Sequence, residues 1–382
     1  MKITKLTTFQ LPEYPLSTFL RVDTDAGIYG LGEATNMPLV VAGAIHDFCG
    51  PEVLGRDPLE IESIWNRLYW RINLQGLAGA ETRALSALDF ALWDILGKVC
   101  QQPLYRLLGG KVRDRVPIYN TCGIHNGPRT GRADNQWFLE DAGTLAEDLL
   151  KSGIKTMKIW PLDSFAGKSN GQYISEADIR AGFEPLAKIR SAVGEEMQIC
   201  LELHGLWNIP SAIRIAQEAE KYHVKWIEDP IMVDDLRNLR LLREKIQVPL
   251  LASERLCSRM QYIPLLEQGG ADIVMVDLSW SGGITEGCKI AAAVDSFRIP
   301  ITTHNCGGPV LTRVCAHFNI SNYNSIEMET VRNSYRGFPA ITDTPFHIQD
   351  GYIYPGDLPG LGLSFHEDIL ERPGVVCRIS SV

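Results

Sequence analysis

Four short acid-bearing segments recur along this chain at close to even spacing: LELHG (201–205), WIEDP (226–230), LASER (251–255) and VMVDL (274–278). Glu202, Glu228 and Glu254 stand 26 residues apart, and Asp277 follows 23 later. Each acid lies at or near the end of a short apolar run. A stretch with helical periodicity then leads to the next run. This is the rhythm of a strand–helix repeat and so of a parallel (β/α) barrel. The C-terminal ends of barrel strands open on one face, so acids at those ends meet in space although they are far apart in sequence. Converging carboxylates repel one another unless a cation holds them. Oxygen-only ligands favour a hard ion such as Mg²⁺ over zinc. Glu202, Glu228 and Glu254 are therefore the candidate metal ligands.

The 382 residues suffice for one large barrel and a smaller unit. A net charge of −9 without a basic patch argues against nucleic acid, and an anionic substrate would have to be drawn in locally, by a metal or by placed Lys and Arg. The nine cysteines are scattered and form no C-x-x-C pair, which fits reduced thiols in a cytoplasmic protein. The start, MKITKLTTFQLPEYP, lacks the apolar core of a signal peptide. No apolar run reaches the roughly 18 residues that a membrane span needs.

The first 115 residues break the barrel rhythm. KITKLTTFQL and TFLRVDTDAGIYGLGEA read as antiparallel strands around an Asp25-Ala26-Gly27 turn. Residues 57–110 are helical in pattern, with Leu85, Leu88, Leu92 and Ile95 on one face. An α+β domain over 1–115 thus precedes a barrel over 116–344, and the tail, 345–382, is expected to return to the first domain. The expected barrel strands are VPIYNTCG (116–123), KTMKIW (155–160), QICLELH (198–204), KWIED, PLLAS, DIVMVD, PITTH (300–304) and SIEMET (325–330). Two polar, glycine-rich connections, 125–136 and 161–175, are of the length that covers an active site.

Side chains two apart on a strand point the same way. Glu202 and His204 are thus expected to share the barrel mouth, as are Lys158 and Trp160, and Glu327 and Glu329. Asp277 and His304 close adjacent strands, where the acid would orient the imidazole and make it a general base. His204 has three possible roles: ligand, acid or plain polar residue. Lys158, pointing inward from an apolar strand, either acts as a base through a burial-lowered pKa or holds a carboxylate. His125 follows the first strand at the mouth. His46, His223, His317, His347 and His366 lack such context.

These residues resemble a known family. GLGEA (30–34), ALSALDFALWDILGK…PLYRLLGG, the three acid strands, the Asp277–His304 pair and a terminal PGLGL occur in the order found in the mandelate racemase subgroup of the enolase superfamily. The resemblance covers nearly the whole chain. It implies a modified TIM barrel, (β/α)₇β, with an α+β capping domain built from both termini, and a Mg²⁺ that binds a substrate carboxylate and stabilises an enediolate. The first metal position is usually Asp in the subgroup, and here it is Glu202. Its racemases carry Lys-x-Lys on the second strand. Here Lys158-Ile159-Trp160 lacks the second lysine. Glu202-Leu203-His204 resembles instead the Asp-x-His of galactonate-type sugar-acid dehydratases, whose His protonates a departing hydroxyl. Glu329 resembles the eighth-strand Glu that hydrogen-bonds the substrate carboxylate, better than Glu327 does.

The reading is Mg²⁺-dependent dehydration of an aldonate or aldarate to a 2-keto-3-deoxy acid. His304, Asp277, His204, Lys158 and Glu329 are the catalytic candidates. Trp160, Lys158 and Glu329 are the substrate-binding candidates. The expected partner is the small-molecule sugar acid, and the expected state is a homo-oligomer without nucleic acid or membrane. The alternatives are a sugar-acid epimerase, racemase or cycloisomerase, and a metal-binding protein without catalysis.

Overall fold

A computed structural model describes residues 1–123, 127–128 and 131–382. Eight parallel strands close on themselves: β4 (Val116–Thr121), β5 (Thr156–Ile159), β6 (Gln198–Glu202), β7 (Trp226–Glu228), β8 (Leu250–Ala252), β9 (Ile273–Val276), β10 (Ile301–Thr303) and β11 (Ser325–Thr330), with β11 pairing back to β4. A principal helix fills each crossover, from Asp134–Lys151 after β4 to Pro309–Ser321 after β10. The strands are apolar because helices cover their outer faces. Inside the barrel, Tyr119, Cys200, Trp226, Leu251, Ile273 and Met275 pack into a plug. That plug lies below the acids and leaves only the mouth open for chemistry.

The capping sheet has the order β14-β1-β2-β3, with β1 (Ile3–Gln10), β2 (Ser17–Thr24), β3 (Tyr29–Thr35) and, from the other terminus, β14 (Val376–Ser381). The tail divides. Only β14 joins this sheet, whereas β12 (His347–Gln349) and β13 (Tyr352–Tyr354) form a hairpin that pairs with β4 of the barrel. Among the described residues no helix is long and apolar enough to cross a membrane. All nine cysteines are free.

The motif GLGEA owes its glycines to close packing. A Cβ on Gly30 or Gly32 would lie 2.0 Å from the backbone oxygen of Ala91 or Ala87 in the helix Ala80–Val99. Only a bare Cα lets strand and helix approach this closely. Gly32→Ala is expected to destabilise the protein by about 1–3 kcal/mol through overpacking. An unchanged urea midpoint would contradict this packing account.

Polar residues of the same segments lock the cap onto the barrel. Glu33 is buried and accepts hydrogen bonds from the backbone N–H groups of Gly308, Val310 (3.1 Å) and Leu311 (3.1 Å), at the start of the helix Pro309–Ser321. It thereby satisfies donors that a helix start leaves unpaired. Asp89 accepts from the Thr285 hydroxyl (2.6 Å) and N–H (3.0 Å), and Ser86 accepts from Gly282 N–H at 3.0 Å. Asp94 accepts from Leu31 and Leu361 N–H groups at 3.0 and 2.8 Å. These contacts set the cap over the loops that follow β9 and β10.

Candidate active site

Glu202 and Glu228 end adjacent strands and are register partners, so their side chains lie side by side at the mouth. Both are buried. Burial raises the Glu202 carboxyl to about 7 although Lys158 opposes the shift. Burial, with Glu202 beside it, raises Glu228 well above the usual carboxylate range. Glu202 Oε1 accepts from the N–H groups of Leu203 (3.0 Å) and His204 (2.7 Å). Glu228 Oε2 is buried and has no hydrogen-bond partner among the described residues. Glu254 stands two residues past β8, in a turn, and points its Oε2 at His304 Nε2, 2.9 Å away.

Lys158 sits at the centre of this charge. Its buried ammonium lies 2.7 Å from Glu228, 2.8 Å from Glu329 and 3.4 Å from Glu202. Burial acts to lower its pKa, but Glu228, Glu329 and Glu202 outweigh it and hold the pKa well above that of a free lysine. The sequence left open a base role through a lowered pKa. The surrounding carboxylates instead keep this lysine charged.

His304 follows β10 directly, and its Nδ1 is 2.6 Å from Asp277 Oδ2. Asp277 Oδ1 accepts from Ser279 N–H (2.6 Å), the Ser279 hydroxyl (2.7 Å) and Trp280 N–H (3.1 Å). One acid thus structures the turn after β9 and orients the histidine at once. A carboxylate on Nδ1 orients the ring, and Nε2 faces Glu254 Oε2 across 2.9 Å. Burial lowers the His304 pKa, but Glu254 and the other nearby anionic groups dominate and raise it well above that of a free imidazole.

The two eighth-strand acids separate by height in the barrel. Glu329 Oε2 accepts from Asn305 N–H at 2.8 Å, while Oε1 accepts from the Thr121 hydroxyl and meets Lys158. Glu329 Oε2 also lies 3.8 Å from His304 Nε2. Glu327 meets Lys225 (2.7 Å) and Thr156 (3.4 Å), at the N-terminal side of the barrel. Glu329 is thus the eighth-strand acid at the mouth.

His204 departs from its expected setting. β6 stops at Glu202, and His204 has φ +49, so strand alternation does not aim its ring. Local contacts do so instead. Asp163 Oδ2 lies 2.6 Å from Nδ1, and Trp160 meets the ring edge-on at 5.6 Å. Trp160, half-buried, also packs edge-on against Phe138. The sequence offered no periodic signal for Asp163, Thr121 or Asn305. All three act across loops or between distant strands. Asp229, the second acid of WIEDP, is buried and bonded to Ser253 at 2.7 Å. His46 and His317 are buried and bonded within the fold, and His125 lies outside the described residues.

The chemistry of the donor set suits a hard divalent cation. Glu202, Glu228 and Glu254 offer oxygen only, two of them resist ionisation while unneutralised, and one oxygen lacks a partner. Among the described residues His304, Cys306 and Glu329 form a tighter cluster, with ligand atoms within 4.8 Å of one another. That cluster fits less well. Both His304 nitrogens already face carboxylates, and burial raises the Cys306 thiol away from the thiolate that a metal needs. A cleft of about 730 Å³ lies to one side, between Pro12–Pro15 and the segment that follows β4. None of the acids or histidines above lines it.

The capped barrel thus brings a buried acid cluster and an Asp-oriented histidine to one mouth. The comparisons agree on its family. Residues 7–109 match the mandelate racemase / muconate lactonizing enzyme N-terminal domain, and residues 141–369 match the enolase C-terminal domain-like family. The chain belongs to the mandelate racemase / muconate lactonizing enzyme family of the enolase superfamily. It is 32% identical over 379 residues to a D-galactonate dehydratase of Klebsiella pneumoniae (strain 342), covering 96% of this chain and 93% of that one. It is 31% identical to a D-galactonate dehydratase of Ralstonia pickettii (strain 12J), covering 97% and 94%. A mandelate racemase subgroup enolase from Agrobacterium tumefaciens superposes with a TM-score of 0.90 at 38% identity, covering 100% and 99%. A putative dehydratase from Zymomonas mobilis ZM4 superposes at 0.87 with 28% identity, covering 99% and 100%.

Proposed function

We propose that this enzyme is a hydro-lyase that dehydrates an aldonate or aldarate to the 2-keto-3-deoxy acid. The observation that carries the reading is the pairing, at one barrel mouth, of an Asp277-oriented His304 with a second histidine, His204, placed by its own acid. Glu202, Glu228 and Glu254 would hold Mg²⁺. When bound, that ion supplies Lewis-acid polarisation of the substrate carboxylate. Lys158 contributes a fixed positive charge toward the same carboxylate. Glu329, which accepts from Asn305 N–H and meets the Lys158 ammonium at 2.8 Å, holds that charge at the mouth. Trp160 forms a wall of the pocket.

With Glu254 committed to the metal, His304 Nε2 would be released from its 2.9 Å contact with that acid and would take the C2 proton, and Asp277 would stabilise the imidazolium that results. His204 protonates the C3 hydroxyl, the C3–O bond breaks and water leaves. The enol that remains tautomerises in solution to the keto acid. An epimerase needs a second base at C2, and Trp160 occupies the position where the racemases of the resemblance carry one. A panel of aldonic and aldaric acids, D-galactonate among them, incubated with enzyme and Mg²⁺ tests the reading. At least one is expected to yield a 2-keto acid. If none does while C2 epimers accumulate, the epimerase alternative holds.

An acid acts on C–O cleavage alone. His204→Asn is therefore expected to keep Mg²⁺ binding and C2–H exchange but to lose about 10²–10⁴-fold in keto-acid formation. Fluoride leaves without protonation, so a 3-fluoro substrate should partly rescue the variant. Loss of Mg²⁺ binding would make His204 a ligand instead.

A further inference from the structure

Asp163 has no part in the functional reading so far, yet it is the group that fixes His204. It opens the short helix Asp163–Ala166 just after β5, one strand away from the β6 segment that carries His204. Its Oδ2 lies 2.6 Å from His204 Nδ1, the same separation that joins Asp277 to His304. Its Oδ1 is buried without a hydrogen-bond partner among the described residues, so the carboxylate is committed to the histidine on one side only.

The rest of the His204 environment holds the backbone and one ring edge. Its N–H is bound by Glu202 Oε1 at 2.7 Å, and its carbonyl accepts from Arg255 at 2.6 Å. Trp160 closes the ring from the side. These contacts place the residue but leave rotation of the ring and choice of tautomer undetermined. Asp163 decides both. A carboxylate only accepts, so Nδ1 carries the proton and Nε2 is the nitrogen presented for proton exchange.

We infer that Asp163 is a positioning residue for the departure of the hydroxyl: it holds the His204 ring in the Nδ1–H tautomer, so that Nε2 is the nitrogen offered to the leaving oxygen. The site then contains two Asp–His pairs with one logic and opposite tasks, Asp277–His304 accepting a proton and Asp163–His204 delivering one. The inference rests on the dehydratase reading and adds a residue to it. The proton balance is closed. The Nε2 proton leaves with water, the C2 proton stays on His304, and solvent re-equilibrates both histidines.

The test compares Asp163→Asn, Asp163→Glu and His204→Asn with wild type, on whichever aldonate or aldarate the wild type dehydrates fastest. C2–H exchange in D₂O is followed by proton NMR beside keto-acid formation, with Mg²⁺ affinity measured separately. An asparagine can present its NH₂ to Nδ1 and so favour the wrong tautomer. Asp163→Asn is expected to raise the ratio of exchange to dehydration at least about tenfold, with Mg²⁺ affinity unchanged and a 3-fluoro substrate partly rescued. Asp163→Glu, which keeps the carboxylate, should recover part of the loss and serves as the readout if the asparagine variant does not fold. Wild-type dehydration in Asp163→Asn, with His204→Asn inactive, would overturn the inference and leave the dehydratase reading standing. Equal loss of exchange, dehydration and Mg²⁺ affinity would overturn it as well, by assigning Asp163 a structural role. If His204→Asn itself dehydrates at the wild-type rate, the underlying reading falls and the inference with it.

Discussion

His304→Asn is expected to lower turnover by about 10²–10⁴-fold and to abolish exchange of the substrate C2 proton with solvent. Asparagine keeps the approximate size and one hydrogen bond but cannot take a proton. The α-proton of a carboxylate is very weakly acidic, so an oriented base and charge stabilisation must act together. Asp277 provides the orientation at 2.6 Å, and the contacts of its other oxygen to Ser279 and Trp280 keep it from swinging away. The measurement is proton NMR of substrate in D₂O with wild type and variant. Exchange at the wild-type rate would mean a different base. Lys158, at the same mouth, would then be the next base to test.

Removal of the metal is expected to cost at least about 10³-fold, since a bound cation contributes several kcal/mol and each 1.4 kcal/mol is tenfold. Dialysis against EDTA should abolish keto-acid formation, and Mg²⁺ should restore it. A readout independent of activity exists. Mg²⁺ binds the folded protein alone, so it should raise the thermal midpoint of metal-depleted enzyme by mass action. Glu228→Gln should remove most of that rise, because it neutralises a buried carboxylate that has an unpartnered oxygen. Full activity in thoroughly depleted protein, or an unchanged midpoint on adding Mg²⁺, would contradict the assignment.

Strand residues were the legible part of this site. Lys158, Glu202, Glu228 and Glu329 lie within or at the end of a strand, where an alternation of two aims each side chain and the even repeat carries neighbours to one face. Asp277 and His304, each one residue past a strand, meet as their adjacent strands led one to expect, but residues two past a strand were legible in identity and not in aim. His204 turns on a left-handed residue, and Glu254 reaches His304 from a turn. Asp163, Thr121 and Asn305 gave no signal, since their roles arise only when elements far apart in sequence meet. The cap behaved similarly. The segment ending in GLGEA read as antiparallel strand, whereas the bonds from Glu33 to the start of the helix Pro309–Ser321 span 275 residues and more of sequence. The tail was expected to return to the first domain; its hairpin pairs with Val116 and Pro117 at the start of β4 before β14 reaches the capping sheet. Periodicity cannot rank two such partners.

The most direct test of dehydration is the fate of deuterium during a single conversion in D₂O with Mg²⁺. Removal of the C2 proton, loss of the C3 hydroxyl and tautomerisation of the enol place one solvent deuteron at C3 of a 2-keto-3-deoxy acid. That product, with the label confined to C3 and no C2 epimer of the substrate, is the expected result. Deuterium at C2 of an epimerised sugar acid, with its C3 hydroxyl retained and no keto acid formed, would contradict the account.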